Sequence, residues 1–314
     1  MQRIGFTIPE GFQMLGLAPQ TVFEYANMSA GKAVYEVRVL SEKGRPVRST
    51  VGVALQTERF SSMRFDTLIF GGTNDATPRL TPGLLNFARL GLKLSRRVAS
   101  ICTGAFILAE AGLLDGRRAT THWAFSRELQ TRFPKVTVEE DRIFIVDGPV
   151  WTSAGATAGL DLALAMVEKD LGADVARSTA QMLVMHHRRA GGQSQHSQLL
   201  TLSPKSDRIQ NAITFAEKHL HTELSVGKLA EVANLSPRQF SRAFQNETGQ
   251  SPAKAVEKLR LQSARLMIEQ SRHPIQVVAQ ETGFVDPRRM REAFLRTFGL
   301  PPQAFRRSAR EKVA

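Results

Sequence analysis

The sequence predicts an α/β domain with a mostly parallel sheet between helices, followed by an all-α domain holding two helix-turn-helix units. Three observations carry this expectation. Strand-like and helix-like stretches alternate as far as residue 186, the pattern of a parallel sheet with crossover helices. From 188 to 206 (RRAGGQSQHSQLLTLSPKS) the composition turns to Gly, Gln, Ser and Pro, as in a linker. Beyond that, one unit is written twice: Pro237/Pro287, Phe240/Met290, Phe244/Phe294, Gly249/Gly299 and Pro252/Pro302 each stand 50 residues apart. The expected boundaries are a first domain over 1–187, a linker over 188–207, a second domain over 208–307 and a tail over 308–314. Helix-turn-helix units are expected at about 225–247 and 274–297.

Taken in order, residues 3–8 read as a strand and 13–27 as an apolar helix. Residues 35–40 alternate as a second strand, and FDTLIF (65–70) is a buried strand running into Gly71 and Gly72. A helix over 82–94 and a strand over 97–101 follow, then Cys102 and a helix over 103–114. A short extended stretch (119–121), a helix (124–133), strands at 135–139 and 142–146, and helices at 158–171 and 174–186 complete the domain.

The sharpest chemical feature of this half is SICTG (100–104), which leaves a buried strand and opens a helix. Small–x–nucleophile–x–small is the pattern of a nucleophile elbow, with Ser100 and Gly104 small where strand and helix pass closely. The helix N-terminus is expected to lower the Cys102 thiol pKa. Backbone N–H groups at Thr103 and around Gly71–Gly72 are expected to cradle an oxyanion or carboxylate. His122 is the one histidine in the first 180 residues and the candidate partner of the thiol. The same residues also read as a small buried cysteine at a strand end and an ordinary histidine, and spacing does not choose between these.

In the second domain, Val226, Leu229, Ala230 and Ala233 fall on one helix face. Asn234 and Gly283 suit the left-handed position that ends such a helix. Ser236 and Asp286 are placed to cap the next helix, with Pro237 and Pro287 at its first position. Phe240, Phe244, Met290 and Phe294 face inward, leaving Arg238, Gln239, Ser241, Arg242 and Gln245 outward in the first unit. Arg288, Arg289, Arg291 and Leu295 form the outward set of the second. A helix so dressed fits a major groove, where Arg bridges guanine O6 and N7 and Gln pairs with adenine.

Composition agrees and excludes other classes. Hydrophobic residues at 42% and charged residues at 23% are globular values. Residues 205–314 hold 19 Lys and Arg against 11 Asp and Glu, a surplus of 8 out of the net +13. Such a surplus calls for a polyanionic partner. One cysteine excludes an internal disulfide and fits a reducing compartment. No signal-peptide pattern or long apolar run appears, so no membrane partner is expected and the reading is cytoplasmic, nucleoid-associated. No cofactor and no metal are expected.

These motifs resemble two known families. Residues 208–307, through LAEVANLSPRQFSRAFQNETGQSP, PAKAVEKLRLQSARLMI, IQVVAQETGFVDPRRMREAF and FGLPPQAFRR, resemble the DNA-binding domain of AraC/XylS-type transcription regulators. The resemblance implies base-reading roles for Arg238, Ser241, Arg242, Arg288, Arg289 and Arg291, while Glu292 stands where a basic residue is common. Residues 3–186, through FDTLIFGG, VASICTGAFILAEAGLLDGRRATTHW and DRIFIVDGPVWTSAGATAGLDLALAMVEKDLG, resemble the PfpI-type, glutamine amidotransferase-like superfamily, a flavodoxin-like fold. There Cys102 maps to the reactive cysteine and His122 to its histidine. Gln13 stands where an acid is expected and Glu10 is a poor substitute, which counts against hydrolysis.

The pairing resembles GlxA-type regulators. It implies a DNA-binding transcription regulator, an activator and not an enzyme, whose first domain senses a small polar, nitrogenous metabolite. Gly71, Gly72, Cys102, Thr103, His122 and Thr157 would line the crevice at the carboxyl ends of the strands. Double-stranded DNA, a small-molecule effector, RNA polymerase and a second copy in a homodimer are the implied partners. The rival reading is a cysteine-dependent hydrolase or amidase that also binds DNA.

Overall fold

The computed structural model describes residues 1–60, 64–76, 80–185, 189, 191, 195, 202, 204–271 and 273–311. It divides into two compact units, Met1–Gln195 and His196–Ala314.

The strands of the first unit are β1 (Gln2–Thr7), β2 (Tyr35–Ser41), β3 (Val47–Arg48), β4 (Ala54–Leu55), β5 (Glu58–Arg59), β6 (Thr67–Phe70), β7 (Arg97–Ile101), β8 (Arg118–Ala119), β9 (Thr137–Val138), β10 (Phe144–Asp147) and β11 (Val150–Ser153). Its helices are α1 (Ala18–Ser29), α2 (Pro82–Leu94), α3 (Gly104–Glu110), α4 (Trp123–Arg132), α5 (Ala158–Leu171) and α6 (Ala173–Met182). Seven strands form one sheet in the order β10-β11-β7-β6-β1-β2-β5, parallel throughout except for β10 against β11.

Alternation along the strands builds a core on each face. Ile4, Phe6, Ile69 and Ile101 join Phe23 of α1, Leu162 and Met166 of α5 and Ala176 of α6. Leu68, Phe70 and Val98 join Phe87 of α2 and Phe106 of α3. A sheet covered on both faces explains why its central strands read as continuous apolar runs.

The structure departs from the sequence reading at several elements, among them the short strands β3, β4 and β5, which were not expected, and α3, which ends at Glu110 and not at 114. The first helix begins at Ala18, after a 3-10 turn at Met14–Leu17, because Pro19 suits a first turn and not a helix interior. The stretches expected at 119–121 and 135–139 pair only as the two-residue ladder of β8 and β9, apart from the main sheet. Strand β11 was not anticipated, although it lies between β10 and β7. The last helix, expected over 174–186, ends at Met182, and residue 186 itself lies outside the described residues.

At the amino ends of β6 and β7 a charged cluster is sealed in. Asp170, with its side chain 1% exposed, pairs with Arg97, 5% exposed, and with the more open Arg96. Arg97 Nε also donates to Thr67 Oγ1 at 2.7 Å, and its guanidinium lies 5.4 Å from the centre of the Trp151 ring. The Tyr35 hydroxyl donates to Asp170 at 3.1 Å; burial first, and the carboxylate second, push its pKa well above the ordinary value. This cluster anchors the end of β7 opposite Cys102.

The second unit is helical: α7 (Asp207–Lys218), α8 (Val226–Val232), α9 (Pro237–Thr248), α10 (Pro252–Gln270), α11 (Ile275–Glu281), α12 (Pro287–Phe298) and α13 (Pro302–Glu311). The expected caps form. Ser236 accepts from Gln239 N, Asp286 from Arg289 N and Ser251 from Lys254 N. Asn234 and Gly283 are left-handed. Two small cores result, one around Ile213, Leu229, Phe240 and Phe244, the other around Ile268, Val278, Met290 and Phe294. The long α10 serves both, giving Val256 and Leu259 to the first and Leu261, Ala264 and Ile268 to the second. No helix among the described residues is long and apolar enough to cross a membrane.

Candidate functional site

Two places gather the residues singled out in the sequence, one in each unit. In the first unit, β7 ends in a turn at Cys102, whose φ is +55°. A side chain in the left-handed region is strained, and such strain persists where the surroundings enforce it. The enforcement is visible on three sides. The Cys102 carbonyl accepts from Thr121 Oγ1 at 2.8 Å, and Cys102 N donates to Ser153 O at 3.1 Å. Gly155, at φ +86°, passes so closely that a Cβ there would overlap Cys102 Cβ. On the helix side, a Cβ on Gly104 would overlap the Phe70 carbonyl oxygen. The elbow is therefore a packing solution that needs Gly104 and Gly155 as well as Cys102.

Its chemistry differs from the expectation. Burial pushes the Cys102 thiol pKa up, and the opposing hydrogen bond from the Thr103 backbone is the smaller influence. Desolvation disfavours the thiolate, and here it outweighs that hydrogen bond. The expected cradle is also partly occupied. Gly71 N donates to Thr7 O at 2.9 Å, and Thr73 N donates to Thr103 Oγ1 at 2.8 Å. Gly72 lies against Thr103, where a Cβ would overlap its hydroxyl.

His122 stands at the start of α4, where Nδ1 accepts from Ala124 N at 3.3 Å, and Thr121 alone separates it from the contact to Cys102. Gln13 donates to Asn74, next to Thr73, so an amide occupies the loop beside Thr103 where an acid was expected. Thr157 is exposed and accepts from Arg189 Nη2 at 2.8 Å. Gly71, Gly72, Thr103 and Cys102 are thus brought together and His122 is linked to them through Thr121, while Thr157 belongs to a neighbouring contact with Arg189.

Sequence reasoning missed that contact. Although 188–207 has the composition of a linker, its described residues Arg189, Gly191 and Gln195 are bonded into the first unit. Arg189 Nε donates to Asp161 Oδ2 at 2.8 Å, and the Asp161 carboxylate is fully buried. Gly191 O accepts from Phe144 N at 3.3 Å. Gln195 Nε2 donates to Thr121 O at 2.9 Å, and Gln195 Oε1 accepts from Trp123 N at 2.8 Å. Gln195 thus clasps both sides of His122, and no local pattern in the sequence signals it.

A measurable consequence concerns reactivity. Iodoacetamide should alkylate Cys102 in the folded protein roughly tenfold or more slowly than an exposed thiol at neutral pH, because thiolate is the nucleophile. Its rate should rise at higher pH than for an ordinary thiol of pKa about 8.5. Mass spectrometry over a pH series checks this; rapid labelling at pH 7 would contradict the burial of the thiol.

In the second unit, Arg238, Arg242 and Gln245 of α9 are exposed, as are Arg288, Arg289 and Arg291 of α12. Two members of the expected reading face are engaged locally. Gln239 completes a capping box, its Oε1 accepting from Ser236 N at 3.1 Å and Ser236 Oγ at 2.8 Å. That occupies the acceptor needed for a bidentate adenine contact, so Gln239 is a cap first. The half-buried Ser241 donates to Pro237 O at 2.9 Å. On α12, Arg288 Nε donates to Glu292 Oε1 at 3.2 Å, an exposed pair on the outer face of the helix.

Comparison with known proteins matches both halves. Residues 3–169 match the DJ-1/PfpI family, and residues 229–308 match a helix-turn-helix domain family. The HTH-type transcriptional regulator GlxA of Rhizobium meliloti is 30% identical over 317 residues, spanning 98% of this chain and 96% of that protein. An isonitrile hydratase of Pseudomonas putida is 37% identical over 135 residues, 42% of this chain and 58% of that enzyme. Among solved structures, an AraC family transcriptional regulator from Pseudomonas putida superposes with TM-score 0.54 at 23% identity, covering 58% of this chain and 100% of its own. That likeness shows the fold of the first unit.

Proposed function

The chain belongs to the AraC-type transcriptional regulators whose N-terminal half is a DJ-1/PfpI domain, and on that footing we propose that its first unit senses a small polar, nitrogenous metabolite to activate transcription. The metabolite occupies the crevice beyond β6 and β7, against Gly72, Cys102, Thr103 and His122, where open α/β sheets bind ligands. The observation that carries this reading is the clasp of Gln195 on Thr121 and Trp123. It ties the chain segment that leaves the first unit to the loop bearing His122. A ligand that moves this loop therefore acts on the segment leading to the DNA-reading helices, provided it prefers one of two loop positions. A homodimer reading paired sites on double-stranded DNA, and contact with RNA polymerase, complete the proposal, with the nucleoid as the place of action.

No catalytic role is assigned to Cys102 or His122. The buried thiol with its raised pKa and the amide of Gln13 in place of an acid both favour binding over turnover.

The DNA half is tested by Arg242→Ala. Arg242 is exposed on α9 and free to reach a base edge, so the variant should lose about 1–3 kcal/mol of discrimination at one base position while other positions keep theirs. Fluorescence anisotropy on a site and its single-base variants reads this. A uniform loss at every position would make Arg242 a phosphate contact, and no change would remove it from the interface.

A further inference from the structure

We infer that Arg260 and Gly283 latch the two helix-turn-helix units together and thereby fix the spacing at which α9 and α12 read DNA. This builds on the assignment of both helices as base readers. The repeats differ at one informative position: the turn of the first unit carries Asn234 at φ +53°, and that of the second carries Gly283 at φ +76°. Asn enters the left-handed region readily, so backbone conformation alone does not demand glycine at 283. Gly249 and Gly299 are left-handed too, yet a Cβ on either would meet nothing within 4 Å. A Cβ on Gly283 would overlap the carbonyl oxygen of Leu220, in the loop between α7 and α8 that leads into the first helix-turn-helix. Glycine stands there because the α7–α8 loop is pressed against it.

Arg260 of α10 closes the same contact. Its Nε donates to Leu220 O at 3.2 Å and its Nη2 to Thr222 O at 2.7 Å. One turn earlier on α10, Glu257 accepts from Arg296 Nη2 of α12 at 2.8 Å. One face of α10 therefore holds the α7–α8 loop, which leads into the first helix-turn-helix, and the reading helix α12 at once. An open groove of about 410 Å³ borders Leu224, Val256, Arg260, Gly283 and Arg296. The groove is open to water along this junction, and the directional polar contacts of Arg260 and Glu257 cross beside it. Hydrogen bonds to a charged guanidinium are strong enough to matter here, and an arginine stays charged throughout.

Two reading helices held rigidly fit one separation of groove contacts. Each inserted base pair turns the second contact by about 34° and shifts it by about 3.4 Å. Arg260 is thus a positioning residue that reaches DNA through the helices it holds.

The test is selection from a randomised duplex library with the full chain, followed by binding to the selected site with one base pair inserted between its two parts. The wild type should select a two-part motif at one separation and bind the inserted site roughly 10–100-fold more weakly. Arg260→Met, which keeps the apolar stem, should select both parts with unchanged base preference, while the insertion penalty falls to about threefold or less. Gly283→Asn tolerates the backbone but not the collision and should relax the spacing likewise. Gly249→Asn, in open space, should keep it. Should Arg260→Met fail to fold by circular dichroism, Gly283→Asn against Gly249→Asn carries the same readout. Retention of the full insertion penalty in the latch variants, or loss of one motif part, would overturn the latch. Absence of any motif for the wild type would instead overturn the DNA-reading assignment itself.

Discussion

Phe294→Ala is expected to cost the C-terminal unit about 3–5 kcal/mol, the range for deleting a buried aromatic ring. Phe294 is fully buried in α12, with ring centres 5.2 Å from Phe298 and 5.6 Å from Phe305. The core it anchors is small, formed with Ile268, Val278, Ala279 and Met290. A core of that size has few contacts with which to close the space left by a lost ring, and typical domains have only about 5–15 kcal/mol in total. The outcome should be selective: α12 loses its seat while α9 stands on the separate core of Phe240 and Phe244. Footprinting should then show one protected groove segment where the wild type protects two. Leu295, the exposed neighbour, provides the control, since Leu295→Ala should stay within about 0.5 kcal/mol of wild type. Equal urea midpoints for Phe294→Ala and Leu295→Ala would contradict the packing described.

Asp170→Ala should destabilise the first unit by about 3–5 kcal/mol, because it strands a buried guanidinium without its partner. Arg97 would keep Thr67 Oγ1 as an acceptor and lose the carboxylate, in a place where water barely reaches it. The double change Asp170→Leu with Arg97→Met should recover most of that loss, since apolar replacement of a whole buried pair is often close to neutral. Tryptophan fluorescence provides the readout. The chain has two tryptophans, Trp123 and Trp151, both in the first unit, and Trp151 lies against Arg97. A double variant no more stable than Asp170→Ala would mean that the cluster is held by something other than the ion pair.

The helix-turn-helix half was the more legible in sequence because its determinants are local. Ser236 and Asp286 cap helices that start at the next residue, and Phe240 and Phe244 meet one turn apart. The α/β half was legible in its alternation, and SICTG announced the turn at Cys102. What that turn does chemically was not legible. The close packing of Gly155 on Cys102 and the Gly71 amide taken up by Thr7 each join residues more than fifty apart in sequence. Strand β11 was missed because four residues, VWTS, carry too short a pattern to stand out. The contacts of Arg189 and Gln195 were hidden for a related reason: Arg and Gln in a polar stretch carry no local sign of the Asp161 carboxylate and Thr121 carbonyl that receive them. Gly283 had two reasons to be glycine, and only the conformational one was visible in sequence.

The most direct test of the central claim is retention of fragmented genomic DNA on the purified full-length protein at physiological salt, with and without a panel of small nitrogenous metabolites. Salt is held at that level because nonspecific attraction by a chain of net charge +13 weakens steeply as ionic strength rises. The account predicts a discrete set of intergenic sites sharing a two-part motif, with occupancy changed by at least one metabolite and that change diminished in Gln195→Ala. Featureless retention under every condition, in a protein whose two units are folded, would contradict it.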